Sequence, residues 1–370
     1  YGVNAPEYGW NDFEGINVKG KIIVVLVNDP PIMKNGEMDD SMFGGKAMTY
    51  YGRWSYKFEE GLRQGAVGVL VVHETQPAGY PFAVLQGGYN GEQLMIENPN
   101  VTPLAFQGWI PLSSVEKLFQ MSGMNYQELK AAAVRPDFKA VALKSTFTSK
   151  MTNSVRRFDS NNIVAKYEGT DPELKDEYII YTSHWDHLGK NTKLEGDQIY
   201  NGANDNASGT GTIMAVAEAF TNLSEGSKRS ILFLAVTAEE QGLLGATYYS
   251  INPLIPLEKT VAVMNIDAMG NNYGKTKDLI VVGKGNSELD LVLEYAAAQD
   301  GKYLIPDAEP EKGFYYRSDH FAFAKQGVPA LYVDGGLDVV GKGKAYGNKK
   351  KDEYTNIDYH AVSDEIKEDW

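Results

Sequence analysis

Short apolar runs separated by helical periods set the texture of this chain. "GKIIVVLVND" (20–29) and "VGVLVVH" (67–73) have the length and continuity of buried strands, and "SYKFEEGLRQGA" (55–66) between them has helical spacing. Turns rich in Pro and Gly follow in "QPAGYPF" and "QGGYNGE", then two helical patterns, "PLSSVEKLFQMSG" and "NYQELKAAAV". These elements predict a small, β-rich mixed module over residues 1–150.

From about residue 160 the pattern lengthens. "NNIVAKYEG" and "DEYIIYTSH" read as paired strands, "ASGTGTIMAVAEAFTNL" as a helix and "RSILFLAVTAEE" as a strand with an acidic end. "GLLGATYYS" is helical, "TVAVMNIDAMG" and "LIVVG" are strands, "SELDLVLEYAAAQDG" and "DHFAFAKQG" are helices, and "PALYVDGG" is a last strand. Strand and helix alternate, which predicts an α/β domain over residues 151–370 with a mixed, largely parallel central sheet flanked by helices. "GKGKAYGNKKKDE" (341–353), with five lysines and no apolar period, reads as a solvated loop.

In such sheets functional groups collect beyond the carboxyl ends of strands. Those ends deliver His184, Asp186 and His187 after "EYIIYTS", Glu239 and Glu240 after "ILFLAV", and Asp267 after "VAVMN". Asp205 sits on a glycine-flanked turn in "NGANDNASGT", and Asp319 and His320 precede a helix. Asp205 read alone is either a helix N-cap or a carboxylate held rigid for chemistry. Imidazoles and carboxylates without thiols suit zinc or another borderline divalent ion. A short acid on a tight turn could bridge two ions, and an adjacent acid pair could supply one ligand and one proton carrier. Asp186, two residues past His184, is placed to orient that imidazole. His187 and His73 read as structural, and Asp319 as a cap or support.

Composition narrows the function classes. The chain has 370 residues, no cysteine and a formal net charge of −14, with a pI near 4.9. No thiolate ligand, disulfide or Cys nucleophile is available. The acidic balance argues against nucleic acid and anionic lipid as partners. No apolar run reaches the ~20 residues of a membrane span.

Five blocks, "SHWDHLG", "GANDNASG", "TAEEQGLLGA", "NIDAMG" and "RSDHFAFAKQGVPAL", stand in an order that resembles the zinc-dependent exopeptidase family of leucyl aminopeptidases, aminopeptidase Y and glutamate carboxypeptidase. The resemblance implies two Zn2+ per chain. His184 and Asp267 would bind one ion, Glu240 and His320 the other, with Asp205 bridging and Glu239 as general base. It also implies a cis peptide bond at Asp205–Asn206. The first 150 residues resemble the protease-associated domain inserted in such enzymes, and "DEYTNIDYHAVSDE" resembles the family's closing Tyr-His-x-Pro-x-Asp element, with Val362 at the proline position. Tyr316 or Arg317 would donate to the reacting carbonyl oxygen, and His360 would either line the substrate pocket or terminate the fold. The expected substrates are peptides with a free N-terminus. The alternatives are a carboxypeptidase or glutaminyl cyclase of the same fold, or a non-catalytic receptor-like relative. The resemblance further implies export to the periplasm or cell exterior, and a chain incomplete at both ends.

Overall fold

The computed structural model describes residues 1–89, 92–97, 103–268, 273–368 and 370. Asn90 and Gly91 of the "QGGYNGE" turn, and Met269 and Gly270 of "NIDAMG", lie outside the described residues. The described chain divides into two units. The first comprises residues 1–93, 97–156 and 309–316, and the second residues 94–96, 157–308 and 317–370.

In the first unit, strands β1 (Ile22–Leu26), β2 (Gly68–His73) and β3 (Phe106–Pro111) form a parallel sheet with β2 in the centre. Every residue of β2 is buried, which is why it reads as an unbroken apolar run. Helix α1 (Trp54–Arg63) approaches β2 so closely that a Cβ on Gly61 would lie 2.3 Å from Val69 Cγ2. Helices α2 (Leu112–Met121) and α3 (Tyr126–Ala132) follow, the latter capped by Asn125, whose side chain accepts the amides of Gln127 and Glu128. The stretches expected as turns after β2 hold two short helices, Thr75–Ala78 and Phe82–Tyr89.

The second unit is built on a seven-stranded mixed sheet. Its strands are β4 (Ile163–Tyr167), β5 (Tyr178–His184), β6 (Ser230–Val236), β7 (Thr260–Asn265), β8 (Asp278–Val282), β9 (Tyr303–Pro306) and β10 (Ala330–Gly335), in the order β9-β8-β10-β7-β5-β6-β4. The central strands β6, β5, β7 and β10 run parallel, while β4 and β8 run antiparallel to their neighbours β6 and β10. Strands β4 and β5, expected to pair, do not: β6 lies between them, with Ile231 opposite both Tyr167 and Ile179. Strand β5 is mostly buried and takes neighbours on both edges, whereas β4, with Ile163 exposed, closes the sheet.

Both faces of the sheet are covered. Ile180, Leu232, Leu234, Val236 and Val263 pack with Ala246 and Tyr249 of helix α5 (Leu244–Ile251) and Phe323 of α7 (His320–Ala324). On the other face Ile231 and Phe233 pack with Ile213 and Phe220 of helix α4 (Ser208–Thr221). Each such side chain contributes about 1.5–3 kcal/mol on burial, so the sheet and these helices form a rigid platform for the loops above. Helix α6 (Leu289–Gln299) falls where its period predicts. The lysine-rich stretch expected as a loop is instead helix α8 (Lys344–Ile357). Its buried residue is a glycine: a Cβ on Gly347 would lie 2.0 Å from the Leu337 carbonyl oxygen. A helix that docks through glycine carries no apolar stripe to announce it.

Candidate metal centre

The parallel strands β5, β6 and β7 end side by side, and their ends carry the chemistry. Register pairs His184 with Val236 and Thr182 with Asn265, so the residues that follow β6 and β7 emerge beside His184. After β6 the chain turns sharply through Ala238 at φ 54° and Leu243 at φ 59°. Such positive φ values are uncommon outside glycine. The turn sets Glu239 and Glu240 over the strand ends, and the Asp186 carboxylate accepts the Glu239 amide at 3.1 Å.

Asp205 arrives on the turn 203–207 ahead of α4, and the Asp205–Asn206 peptide is cis. The capping role open to Asp205 falls to its neighbour. Asn206 Oδ1 accepts the amides of Gly209 (3.0 Å) and Ala268 (3.2 Å), while Nδ2 donates to Ser183 Oγ and the Ile266 carbonyl, both at 3.1 Å. One amide thus ties the turn to the ends of β5 and β7. Gly209 leaves the room for it, since a Cβ there would lie 2.2 Å from Asn206 Oδ1. The turn is also held from behind by Asp364, which is fully buried and accepts the amides of Asn204 and Asp205, each at 3.0 Å.

One imidazole meets each oxygen of the Asp205 carboxylate. His184 Nε2 lies 3.2 Å from Asp205 Oδ1 and 3.2 Å from Asp267 Oδ1. His360 Nε2 lies 3.2 Å from Asp205 Oδ2 and 3.2 Å from Glu240 Oε2. His184 donates from Nδ1 to the Asp186 carbonyl at 3.0 Å, leaving Nε2 as the nitrogen that faces the acids. The Asp186 carbonyl is thus the nearer partner of the ring, with the Asp186 carboxylate 3.8 Å from the same Nδ1. Ser318 Oγ donates to Asp267 Oδ2 at 2.5 Å and accepts from Asn265 at 2.6 Å, which orients the second acid.

This arrangement fits metal ions. Ligands about 2.0–2.1 Å from a tetrahedral zinc stand about 3.3 Å from one another, close to the four 3.2 Å separations here. A lone pair on Nε2 pointing at two carboxylate oxygens needs a cation between them, whether proton or metal. The electrostatics of these groups point the same way. Burial opposes charge on His184, but Asp205 and Asp267 outweigh it and raise its pKa. For His360, burial is likewise outweighed by Asp205 and Glu240, and its pKa is raised to about 10. Asp205 is lowered against burial by His184 and His360, and Glu240 against burial by His187 and His360. Glu239, buried and without a neutralising neighbour of that strength, is raised well above the usual carboxylate range. Burial also lifts Asp319, to about 8. The groups His184–Asp205–Asp267, His184–Glu239–Glu240 and His187–Asp205–Glu240 each place one ligand atom per residue within 4.8 Å of the others.

His320, expected to complete the second ligand set, joins none of these groups. It is fully buried at the start of α7, with its ring 5.0 Å from that of Tyr332 on β10. His360, also in none of those groups, brings its Nε2 to 3.2 Å from Glu240 Oε2; it follows α8 in a left-handed conformation (φ 58°) and stacks on Tyr359 at 3.9 Å. The signal was present in "DYHAVSDE": His360 and Asp364 lie four residues apart on one segment, and both engage Asp205. His187, read as structural, lies 2.6 Å from Glu240. Tyr316 belongs to the first unit, where its hydroxyl donates to the Met48 carbonyl at 3.0 Å. Arg317 is half-buried in the second unit, beside Ser318.

Residues 162–369 match the model of peptidase family M28. Leucine aminopeptidase 2 of Arthroderma otae is 30% identical over 236 residues, covering 60% of this chain and 43% of the relative. Aminopeptidase Y of Saccharomyces cerevisiae is 28% identical over 226 residues, covering 58% of this chain and 36% of the relative. The chain thus spans less than half the length of these curated relatives. Among solved structures, the aminopeptidase from Aneurinibacillus sp. strain AM-1 is 18% identical with a TM-score of 0.44, covering 91% of this chain and 68% of that one. A zinc aminopeptidase from Bacillus subtilis is 20% identical with a TM-score of 0.38, covering 86% of this chain and 60% of that one. Matched by the family model over more than half its length, this chain belongs to peptidase family M28.

Proposed function

We propose that the protein is a metallo-aminopeptidase that releases the N-terminal residue of peptides at a pair of zinc ions. The observation that carries this reading is the sharing of Asp205 between two imidazole–carboxylate sets at 3.2 Å. His184 and Asp267 would hold one ion, Glu240 and His360 the other, and Asp205 both. When bound, the zinc pair supplies Lewis-acid polarisation of the scissile carbonyl and a lower pKa for the attacking water.

Glu239 is the group for proton transfer. It is enclosed beside the ligand sets, and its amide is anchored by Asp186. Burial moves its pKa upward, toward the range in which one carboxyl can take a proton from water and return it to the leaving amine. Residues 1–150 would form a protease-associated domain and 151–370 the catalytic domain, with 309–316 packing in the first unit. Relatives bearing aminopeptidase names support the substrate class. Among the described residues no helix is long and apolar enough to cross a membrane, and export of the protein is part of the proposal.

The test is a paired rate on zinc-loaded protein, with leucyl-p-nitroanilide against its N-acetyl analogue. Turnover of the free amine alone is expected. Equal turnover of both, or of neither, refutes the aminopeptidase reading.

A further inference from the structure

His187 lies outside the two ligand sets proposed above, although its ligand atom is within 4.8 Å of those of Asp205 and Glu240. Its side chain is 6% exposed, and its Nδ1 lies 2.6 Å from Glu240 Oε1. The other oxygen of the same carboxylate, Oε2, is the one 3.2 Å from His360 Nε2. The two oxygens of Glu240 are thus divided between two imidazoles. An ionised carboxylate can only accept, so Oε1 accepts and Nδ1 carries the hydrogen.

The surroundings reserve space for this ring. Gly202, at φ 63°, stands against it, and a Cβ there would lie 2.8 Å from His187 Cγ. The rings of Tyr200 and His360 meet it edge-on with centroids at 6.3 and 5.8 Å. A ring so confined has little rotational freedom, and its Nδ1–H is aimed before any ligand binds.

We propose that His187 is a positioning residue: its Nδ1–H bond to Glu240 Oε1 keeps that carboxylate single-toothed and turns Oε2 toward the metal shared with Asp205 and His360. A carboxylate left free to swing could chelate through both oxygens or rotate away, and either would loosen the site. Groups that orient a ligand from behind are typically worth about ten- to hundredfold in metal affinity. The inference rests on the two-zinc reading above.

Zinc binding to the whole protein, followed by competition with a chromophoric chelator, tests both without conflating them. Wild type is measured first, and fewer than two bound equivalents refutes the metal centre itself. Given two, His187→Ala should weaken one equivalent about ten- to hundredfold and leave the other, held by His184 and Asp267, unchanged. That unchanged equivalent also reports an intact fold. His187→Asn places an N–H near the position of Nδ1 and should recover most of the loss. Wild-type affinity in His187→Ala overturns the proposal, as does His187→Asn binding as weakly as His187→Ala, because the hydrogen bond would then not be the cause.

Discussion

Removing the carboxylate of Asp364 should loosen the Asp205 turn without touching any group proposed to bind metal. Asp364 accepts two buried amides, those of Asn204 and Asp205, each at 3.0 Å, and is within 3.3 Å of the Tyr354 hydroxyl. In Asp364→Ala both amides are left buried without an acceptor. Each such orphan costs about 1–3 kcal/mol, so the variant should lose about 2–6 kcal/mol. For a unit of this size 1 kcal/mol moves Tm by about 2–4 °C, which places the drop at roughly 4–24 °C. Asp364→Asn keeps one acceptor and sets an NH2 against the other amide, so it should fall between wild type and Ala. The turn carries Asp205, and a shift of about 1 Å in a reacting constellation can cost about a hundredfold in rate. The assay is a thermal melt of metal-free protein beside kcat/KM on leucyl-p-nitroanilide. If Asp364→Asn melts within a degree or two of wild type at full activity, the two amides are not what holds Asp205, and the reasoning fails.

Other outcomes follow from the same geometry. His360→Ala should reduce bound zinc from two equivalents to one while His320→Ala keeps both, read by metal analysis after dialysis; the reverse pattern would restore His320 as the ligand. Glu239→Gln should retain both equivalents and lose about 10²–10⁴ in kcat; retained turnover would remove it as the proton carrier. Gly209→Ala should destabilise the protein and weaken metal binding, since its Cβ would lie 2.2 Å from Asn206 Oδ1 and 2.5 Å from the Ile266 carbonyl; a wild-type melt would show that the turn can yield. In the first unit, Asp29 is pushed up to about 6 by burial, against the pull of Thr49 and Lys57. A raised folded pKa means stability that is complete below the unfolded value near 3.8 and lost as pH rises through about 6. The loss is at most about 3 kcal/mol, less for the solvent that reaches this half-buried group, and an Asp29→Asn variant should lack that slope in urea midpoints between pH 4 and 7.

Much of the fold was legible because local rules agree with the final packing. The apolar runs of β2, β5, β6 and β7 are strands buried on both faces, and the period of "ASGTGTIMAVAEAFTNL" is the face that packs on Ile231 and Phe233. The pairing of β4 with β6 was not legible, because an edge strand and a central strand carry similar residues until their neighbours are known. Helix α8 was missed because it docks through Gly347, which has no side chain to set a period.

At the site, the sequence by itself determined the chemistry available: imidazoles and carboxylates without thiols, an acid pair after a strand, and an acid on a glycine-flanked turn. Those are properties of composition and of short spacing, which the chain carries whether folded or not. Which imidazole reaches Glu240 is a property of distances between residues far apart in sequence. By residue type alone His187, His320 and His360 could each ligate a metal. Only the packed structure buries His320 against Tyr332, sets His187 beside Glu240, and returns residue 360 to Asp205, where Asp364 anchors the segment that carries it.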